Sequence, residues 1–332
     1  MESPPTIAVL GLGNWGTALA NHLAHRGFDV LGWCIEQDIP PGINFKHINP
    51  RYQSGVQLHP SLHATNSLDE AVSRRFVVLV VPSNHIASVA SKLLLTAGSL
   101  VVSAVKGLES ETLLTPLQFL NRALPQGVDT AVLSGPSFAR DVAAGKPCGV
   151  VAAAQSETVA RKVAEVFSGH GMRVYTSTDT IGVELGGVVK NVIALAVGVC
   201  DGLGLGDSAR AGLITRGLAE MTRLAVAMGG DARTLAGLSG LGDLAMTATC
   251  DTSRNRTVGL RLGKGEKLAD ILKSLGSVAE AVHTTPLVLK LAAKHKVEMP
   301  ISEEAAKILS AEISPQQMVE NLLSRPLKRE IS

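Results

Sequence analysis

The apolar residues of this chain follow two rhythms that change over near residue 178. In the first part, short β-branched runs alternate with stretches of helical spacing. Strands are expected over residues 6–10, 28–33, 130–133, 149–153 and 173–176, and helices over 17–26, 86–95, 113–124 and 157–168. FVVLVV at 76–81 and LVVSAV at 100–105 are continuous rather than alternating, as in parallel strands covered on both faces. Residues 37–60 carry Pro, Asn and Gly throughout and are expected to form an irregular connection. Repeated strand-then-helix predicts an α/β fold with a doubly wound, mainly parallel sheet.

After residue 178 the strand pattern stops, and an all-helical C-terminal domain is expected over 179–332, following an N-terminal domain over 1–178. Ile214, Leu218, Met221, Ala225 and Met228 form a helical stripe, with Arg216, Glu220 and Arg223 off it. Residues 268–275, 278–294 and 302–310 also read as helices, and DGLGLGD at 201–207 joins two others. The most apolar stretch, ELGGVVKNVIALAVGVCD at 184–201, sets Lys190 and Asn191 in its middle. On a helix, Lys190 has Val183, Gly186, Gly187, Ala194 and Val197 as neighbours, so no carboxylate on its own helix answers its charge. Such a lysine either runs its stem along the core to water, or is held in a site. In a site, burial would lower its pKa toward the range useful for proton transfer.

Composition narrows the class. Hydrophobic residues make up 45% and charged residues 18% of the 332, which suits two packed cores and argues against disorder. The net charge of +2, with no Lys/Arg block, argues against a nucleic-acid partner. Cys34, Cys148, Cys200 and Cys250 are scattered, without a disulfide framework or zinc-ligand spacing. No basic stretch precedes the first strand, and the longest apolar run holds Lys190 and falls short of the roughly 20 residues a bilayer requires. A cytoplasmic protein without membrane insertion is expected.

Chemistry enters with Gly11-Leu12-Gly13-Asn14-Trp15-Gly16, a GxGxxG between a strand and a helix. Gly11 permits a tight turn, Gly13 the approach of a pyrophosphate, and Gly16 the packing of helix on strand, so the sheet is expected to be Rossmann-like. Glu36 lies twenty residues after Gly16, where an acid holds the ribose hydroxyls of NAD; a solvated loop carboxylate is the other reading. Beyond the strand ends, where ligands bind in such sheets, lie Pro82-Ser83-Asn84, Lys106-Gly107 and Ser134-Gly135-Pro136-Ser137. Ser137 can also be the cap of the helix that follows it. In the helical part, GLGDL at 240–244 isolates Asp243, with Thr247 and Thr249 after it. Ser253-Arg254-Asn255-Arg256 is a set suited to a phosphate, or a solvated polar turn.

GLGNWGTALA (11–20), VKGLE (105–109), SGPSFA (134–139), GVELGGVVKNVIALAVGVCDGLGLGDSARAGLITRGLAEM (182–221), GLSGLGDL (237–244) and SRNR (253–256) together resemble the NAD(P)-dependent glycerol-3-phosphate dehydrogenase family, of the bacterial type. The resemblance covers nearly the whole chain. It implies Lys190 as the catalytic proton donor and acceptor, with NAD or NADP as cofactor. Asn14, Trp15 and Ala139 would touch the cofactor, as would Lys106 and Arg254, which would also reach the substrate. Gly135, Ser137, Asp243, Ser253 and Asn255 would complete the substrate pocket, and Val278 and Glu280 would lie against the adenosine. A homodimer feeding glycerophospholipid synthesis is also implied.

The expected reaction is reversible hydride transfer between NAD(P)H and dihydroxyacetone phosphate, giving sn-glycerol 3-phosphate, with Asp243 orienting Lys190. A β-hydroxyacid dehydrogenase of the same layout is the alternative, against which the phosphate-suited run 253–255 speaks. A nicotinamide-binding regulatory protein without turnover would have no use for Lys190, Asp243 and Arg254 together. Family members that favour NADP carry a basic residue where this chain has Ile35, and the loop after it lacks the usual leucine–proline pair. Use of both cofactors is therefore expected, with Arg51 as the other cation within reach of a 2′-phosphate.

Overall fold

The computed structural model describes residues 6–53, 55–275, 279–327 and 329–330. The chain divides by its contacts into Met1–Glu184 and Leu185–Ser332, a division that falls inside the helix Thr180–Gly202.

In the first unit eight strands form one sheet: β1 (Thr6–Leu10), β2 (Asp29–Trp33), β3 (Leu62–Thr65), β4 (Phe76–Leu79), β5 (Leu100–Ser103), β6 (Asp129–Ser134), β7 (Cys148–Ala153) and β8 (Met172–Ser177). Their order is β3-β2-β1-β4-β5-β6-β7-β8, with every neighbouring pair parallel except β6 and β7. This is the doubly wound, Rossmann-like sheet expected. Successive side chains of a strand point to opposite faces. Ile7 and Val9 accordingly enter one apolar core while Ala8 and Leu10 enter another; Val78 and Val102 join the first, and Val77, Leu79 and Val101 the second. Both faces are dry, which is why the runs are apolar at every position.

The irregular connection expected over 37–60 contains the helix Ile39–Lys46. Its prolines occupy the first turn, where their missing amides leave no helical bond unmade. Asn44 further in holds β3 by both ends of its amide, donating to the Ala64 carbonyl at 2.9 Å and accepting from the Ala64 amide at 2.8 Å. β3 itself, four residues long, carries too little pattern to be seen in the sequence.

Among the described residues, every regular element of the second unit is a helix. The helix Thr180–Gly202 is 23 residues long and, by length and composition, apolar enough to cross a membrane. The expectation that this run is too short for that is therefore corrected; its most apolar 18-residue window is wholly buried within the fold. Gly198 and Gly202 face Gly259 and Gly263 of the helix Arg254–Gly263. A Cβ on any of the four would collide with backbone of the other helix. Two glycines one turn apart on each helix thus bring the two backbones into contact. Glu220, expected off the apolar stripe of the helix Gly206–Ala227, is buried instead. It accepts from the Ile301 amide at 2.6 Å and from the Ser302 amide and hydroxyl, satisfying the first turn of the helix Pro300–Leu309.

In the first unit Glu184 does the same for the helix Pro116–Ala123, accepting from the Leu117 amide at 2.8 Å through Oε1, while its Oε2 has no hydrogen-bond partner among the described residues. Burial pushes its carboxyl up to about 7, against the pull of the Thr115 hydroxyl and the Leu117 amide. A carboxyl whose folded pKa lies above its unfolded value of 4.5 holds its proton more tightly in the folded state. Its stabilising contribution is full below pH 4.5 and is lost as pH rises through 7. By pH 8 the loss is expected to reach about 3 kcal/mol, and Glu184→Gln should flatten that part of the profile. Urea unfolding of both proteins between pH 4.5 and 8 checks this; identical slopes would assign the dependence to other groups.

Candidate functional site

In the first unit the glycine loop after β1 is set by backbone contacts. The Gly11 amide donates to the Trp33 carbonyl at 2.8 Å, and Gly11 has φ +105°, with the Val80 carbonyl where a side chain would begin. A Cβ on Gly16 would overlap the Gly11 carbonyl, so the helix Asn14–His25 lies directly on the loop. Gly13 differs: among the described residues, a Cβ there would meet nothing within 4 Å, and no side chain caps the helix that begins after it. An uncapped helix N-terminus behind an open glycine is a place where amides can receive a pyrophosphate. The buried Trp15 Nε1 has no acceptor among the described residues. These features fit a dinucleotide.

Sequence reading passed over Asn49, which organises the loop. Its buried amide donates to the Leu12 carbonyl at 3.0 Å and the Thr17 hydroxyl at 2.9 Å, while its Oδ1 accepts from the amides of Arg51 and Tyr52. Asn14 accepts from Gln53 through both its side-chain and main-chain oxygens. Beyond β2, Ile35 is 74% exposed and Glu36 accepts from the Tyr52 hydroxyl at 3.3 Å. Arg51 donates through Nε to both oxygens of Asp38, at 2.8 and 2.9 Å.

The segments beyond the other strands also converge. Lys106 Nζ donates to the Gly135 carbonyl at 3.3 Å, and the Ser137 hydroxyl donates to the same oxygen at 3.1 Å. Ser137 is therefore not a helix cap; Phe138 precedes the helix Ala139–Ala143, which no side chain among the described residues caps. Gly107 lies against Ser83, closely enough that a Cβ would displace it.

In the second unit Lys190 is 5% exposed, and its ammonium is answered from outside its helix. Nζ donates to Asp243 Oδ1 and, at 2.8 Å, to Thr247 Oγ1. Asp243 and Thr247 are one turn apart on the helix Asp243–Thr249 and share one face. A single π-helical turn, Leu238–Gly242, precedes that helix, and Gly186 lets its Ser239 carbonyl lie against the lysine helix one turn before Lys190. Thr247 was not singled out as a site residue, although its four-residue spacing from Asp243 was available.

The run 253–256 divides its labour differently from the expectation of one phosphate-holding set. Ser253 is buried, and its hydroxyl accepts from the Arg256 amide as an N-cap. Asn255 donates to Asn191 Oδ1 and accepts from the Ala281 amide, both at 2.9 Å, so it ties three segments together. Arg256 is committed to Asp201 and Asp251. Arg254 is exposed. Glu280 opens the helix Glu280–Lys294; burial raises its carboxyl above the usual range, while Arg254 and His283 pull it down. Val278 lies outside the described residues.

The two glycines make a paired test. Gly16→Ala is expected to lower the melting temperature sharply or prevent folding, because backbone cannot retreat from backbone. Gly13→Ala should melt within about 2 °C of the parent. Thermal melts of both proteins, monitored by circular dichroism, decide; equal melts would mean the loop is not packed as described.

Residues 6–160 match the family described as NAD-dependent glycerol-3-phosphate dehydrogenase N-terminus, and residues 179–320 the corresponding C-terminus. The chain is 48% identical over 329 residues to glycerol-3-phosphate dehydrogenase [NAD(P)+] of Geobacter sulfurreducens, covering 98% of each. Its counterpart in Desulfovibrio desulfuricans is 47% identical, over 99% of this chain and all of the relative. The crystal structure of glycerol-3-phosphate dehydrogenase from Coxiella burnetii superposes with a TM-score of 0.93 at 39% identity, covering 97% of this chain and 99% of the other. The chain belongs to the NAD-dependent glycerol-3-phosphate dehydrogenase family.

Proposed function

We propose that this protein is an NAD(P)-dependent sn-glycerol-3-phosphate dehydrogenase that interconverts dihydroxyacetone phosphate and sn-glycerol 3-phosphate. The observation that carries the reading is the buried Lys190 ammonium, held by Asp243 and Thr247, in a chain of this family. When bound, the nicotinamide supplies or accepts the hydride. Lys190 supplies the proton: Nζ gives it to the C2 oxygen of the ketone during reduction and takes it back during oxidation. Asp243 holds that ammonium in place, and Thr247 fixes its direction. Buried charge acts strongly on an oxygen that is becoming an alkoxide, because little water screens it.

Residues 1–178 are assigned to the cofactor and 179–332 to substrate and catalysis. On the cofactor side, Gly11, Gly13, Asn14, Trp15 and Gly16 receive the pyrophosphate and nicotinamide half, and Ala139 adds to them. Glu36, Val278 and Glu280 are assigned to the adenosine half. Lys106, Gly135 and Ser137 approach the substrate, Lys106 also the cofactor. Arg254 takes the phosphate by charge, with Ser253 and Asn255, which also bond within the protein, beside it. A cytoplasmic homodimer feeding glycerophospholipid synthesis is part of the same reading.

Lys190→Ala should lower kcat by at least about 100-fold with cofactor affinity little changed, the low end of a general acid–base contribution. A steady-state assay giving activity within about threefold of the parent would remove Lys190 from catalysis. Arg254→Ala should weaken dihydroxyacetone phosphate by about 1.5–3 kcal/mol, the scale of a charge-assisted hydrogen bond. Unphosphorylated dihydroxyacetone, a poor substrate for the parent, should be affected far less. Equal losses on the two substrates would make Arg254 structural.

A further inference from the structure

We infer that Asp38 is a specificity-determining residue for the adenosine ribose, because it clamps Arg51 and so keeps that cation from a 2′-phosphate. The inference rests on the dinucleotide reading of the glycine loop given above.

Two backbone segments are tied down at this place by asparagine side chains. On one side, Asn66 donates to the carbonyls of Cys34 at 2.8 Å and Glu36 at 3.1 Å, pinning the chain just beyond β2. On the other, Asn49 ties the segment carrying Arg51 and Tyr52 to the Leu12 carbonyl of the glycine loop. Between these anchors sit Glu36, Asp38 and Arg51, two carboxylates against one guanidinium, while the position that would otherwise bring a cation is the exposed Ile35. Tyr52 engages Glu36 and Asp38 engages Arg51. The Arg51 bond holds Asp38's carboxyl below the usual carboxylate range, so the clamp is charged at neutral pH.

A ribose with a free 2′-hydroxyl is a donor and suits an acidic surrounding. A 2′-phosphate brings up to two negative charges, meets Glu36 and Asp38, and finds Arg51 already engaged. Asp38→Asn removes one repelling charge and releases Arg51 from its ionic partner. Asp38 and Arg51 side chains are 47% and 54% exposed, so the substitution leaves the core untouched.

The test titrates ADP-ribose and 2′-phospho-ADP-ribose into the intact protein by calorimetry. The parent should bind ADP-ribose at least as tightly as its 2′-phosphate. Asp38→Asn should improve the 2′-phosphate at least about fivefold, a surface-charge effect, with ADP-ribose little changed. The double variant Asp38→Asn/Arg51→Ala should lose that gain. A parent that already favours the 2′-phosphate, an unchanged ratio in Asp38→Asn, or a gain that survives loss of Arg51 would each overturn the inference. Failure of every protein to bind either probe would instead overturn the dinucleotide reading beneath it.

Discussion

A charge inside an apolar helix has to be answered by residues from elsewhere, and that requirement organises the second unit. Lys190 sits among Val and Ala side chains that are fully buried, and its own helix offers no carboxylate three, four or seven residues away. Desolvating an ammonium costs several kcal/mol, and removing one partner of a buried pair typically costs about 3–5 kcal/mol. Asp243 and Thr247 meet the demand together, one helical turn apart. An irregular π turn precedes them. It lies against Gly186, where any side chain would hold the aspartate's helix away from the lysine.

A second constraint is close approach of backbone. The four glycines at 198, 202, 259 and 263 remove the side chains that would separate two helices. Contact at that spacing sets Asn255 beside Asn191, and Asn255 reaches on to the Ala281 amide. A substrate anion at Arg254 would therefore bear on a helix whose start is already bonded to the lysine helix and to the helix of Glu280. Positioning in this unit comes from backbone packing, from amide bonds and from the Arg256–Asp201 pair that joins the same two helices, which suits a reaction whose reacting atoms have to be held closely.

The first unit shows the same economy in the sheet. Alternate strand residues feed two dry cores, so the strand ends are held from both sides and place the loops that leave them. Lys106 and Ser137 converge on one carbonyl because they leave strands β5 and β6, which pair side by side.

By itself the sequence determined the class of each part: the β-branched runs, the glycine loop between strand and helix, the change to helical spacing, and a lysine with no local partner. These are local properties, written in side-chain period and in the backbone needs of glycine. The expectation that Asp243 orients Lys190 is met by a contact across 53 positions of sequence. Other meetings were decided by the tertiary structure alone. Glu220 is core because a helix start eighty residues on offers it three donors. Ser253 and Asn255 are turned to internal bonds, and Arg51 to Asp38. No period along the chain encodes such pairings, because they depend on distances that exist only once the helices and strands have packed.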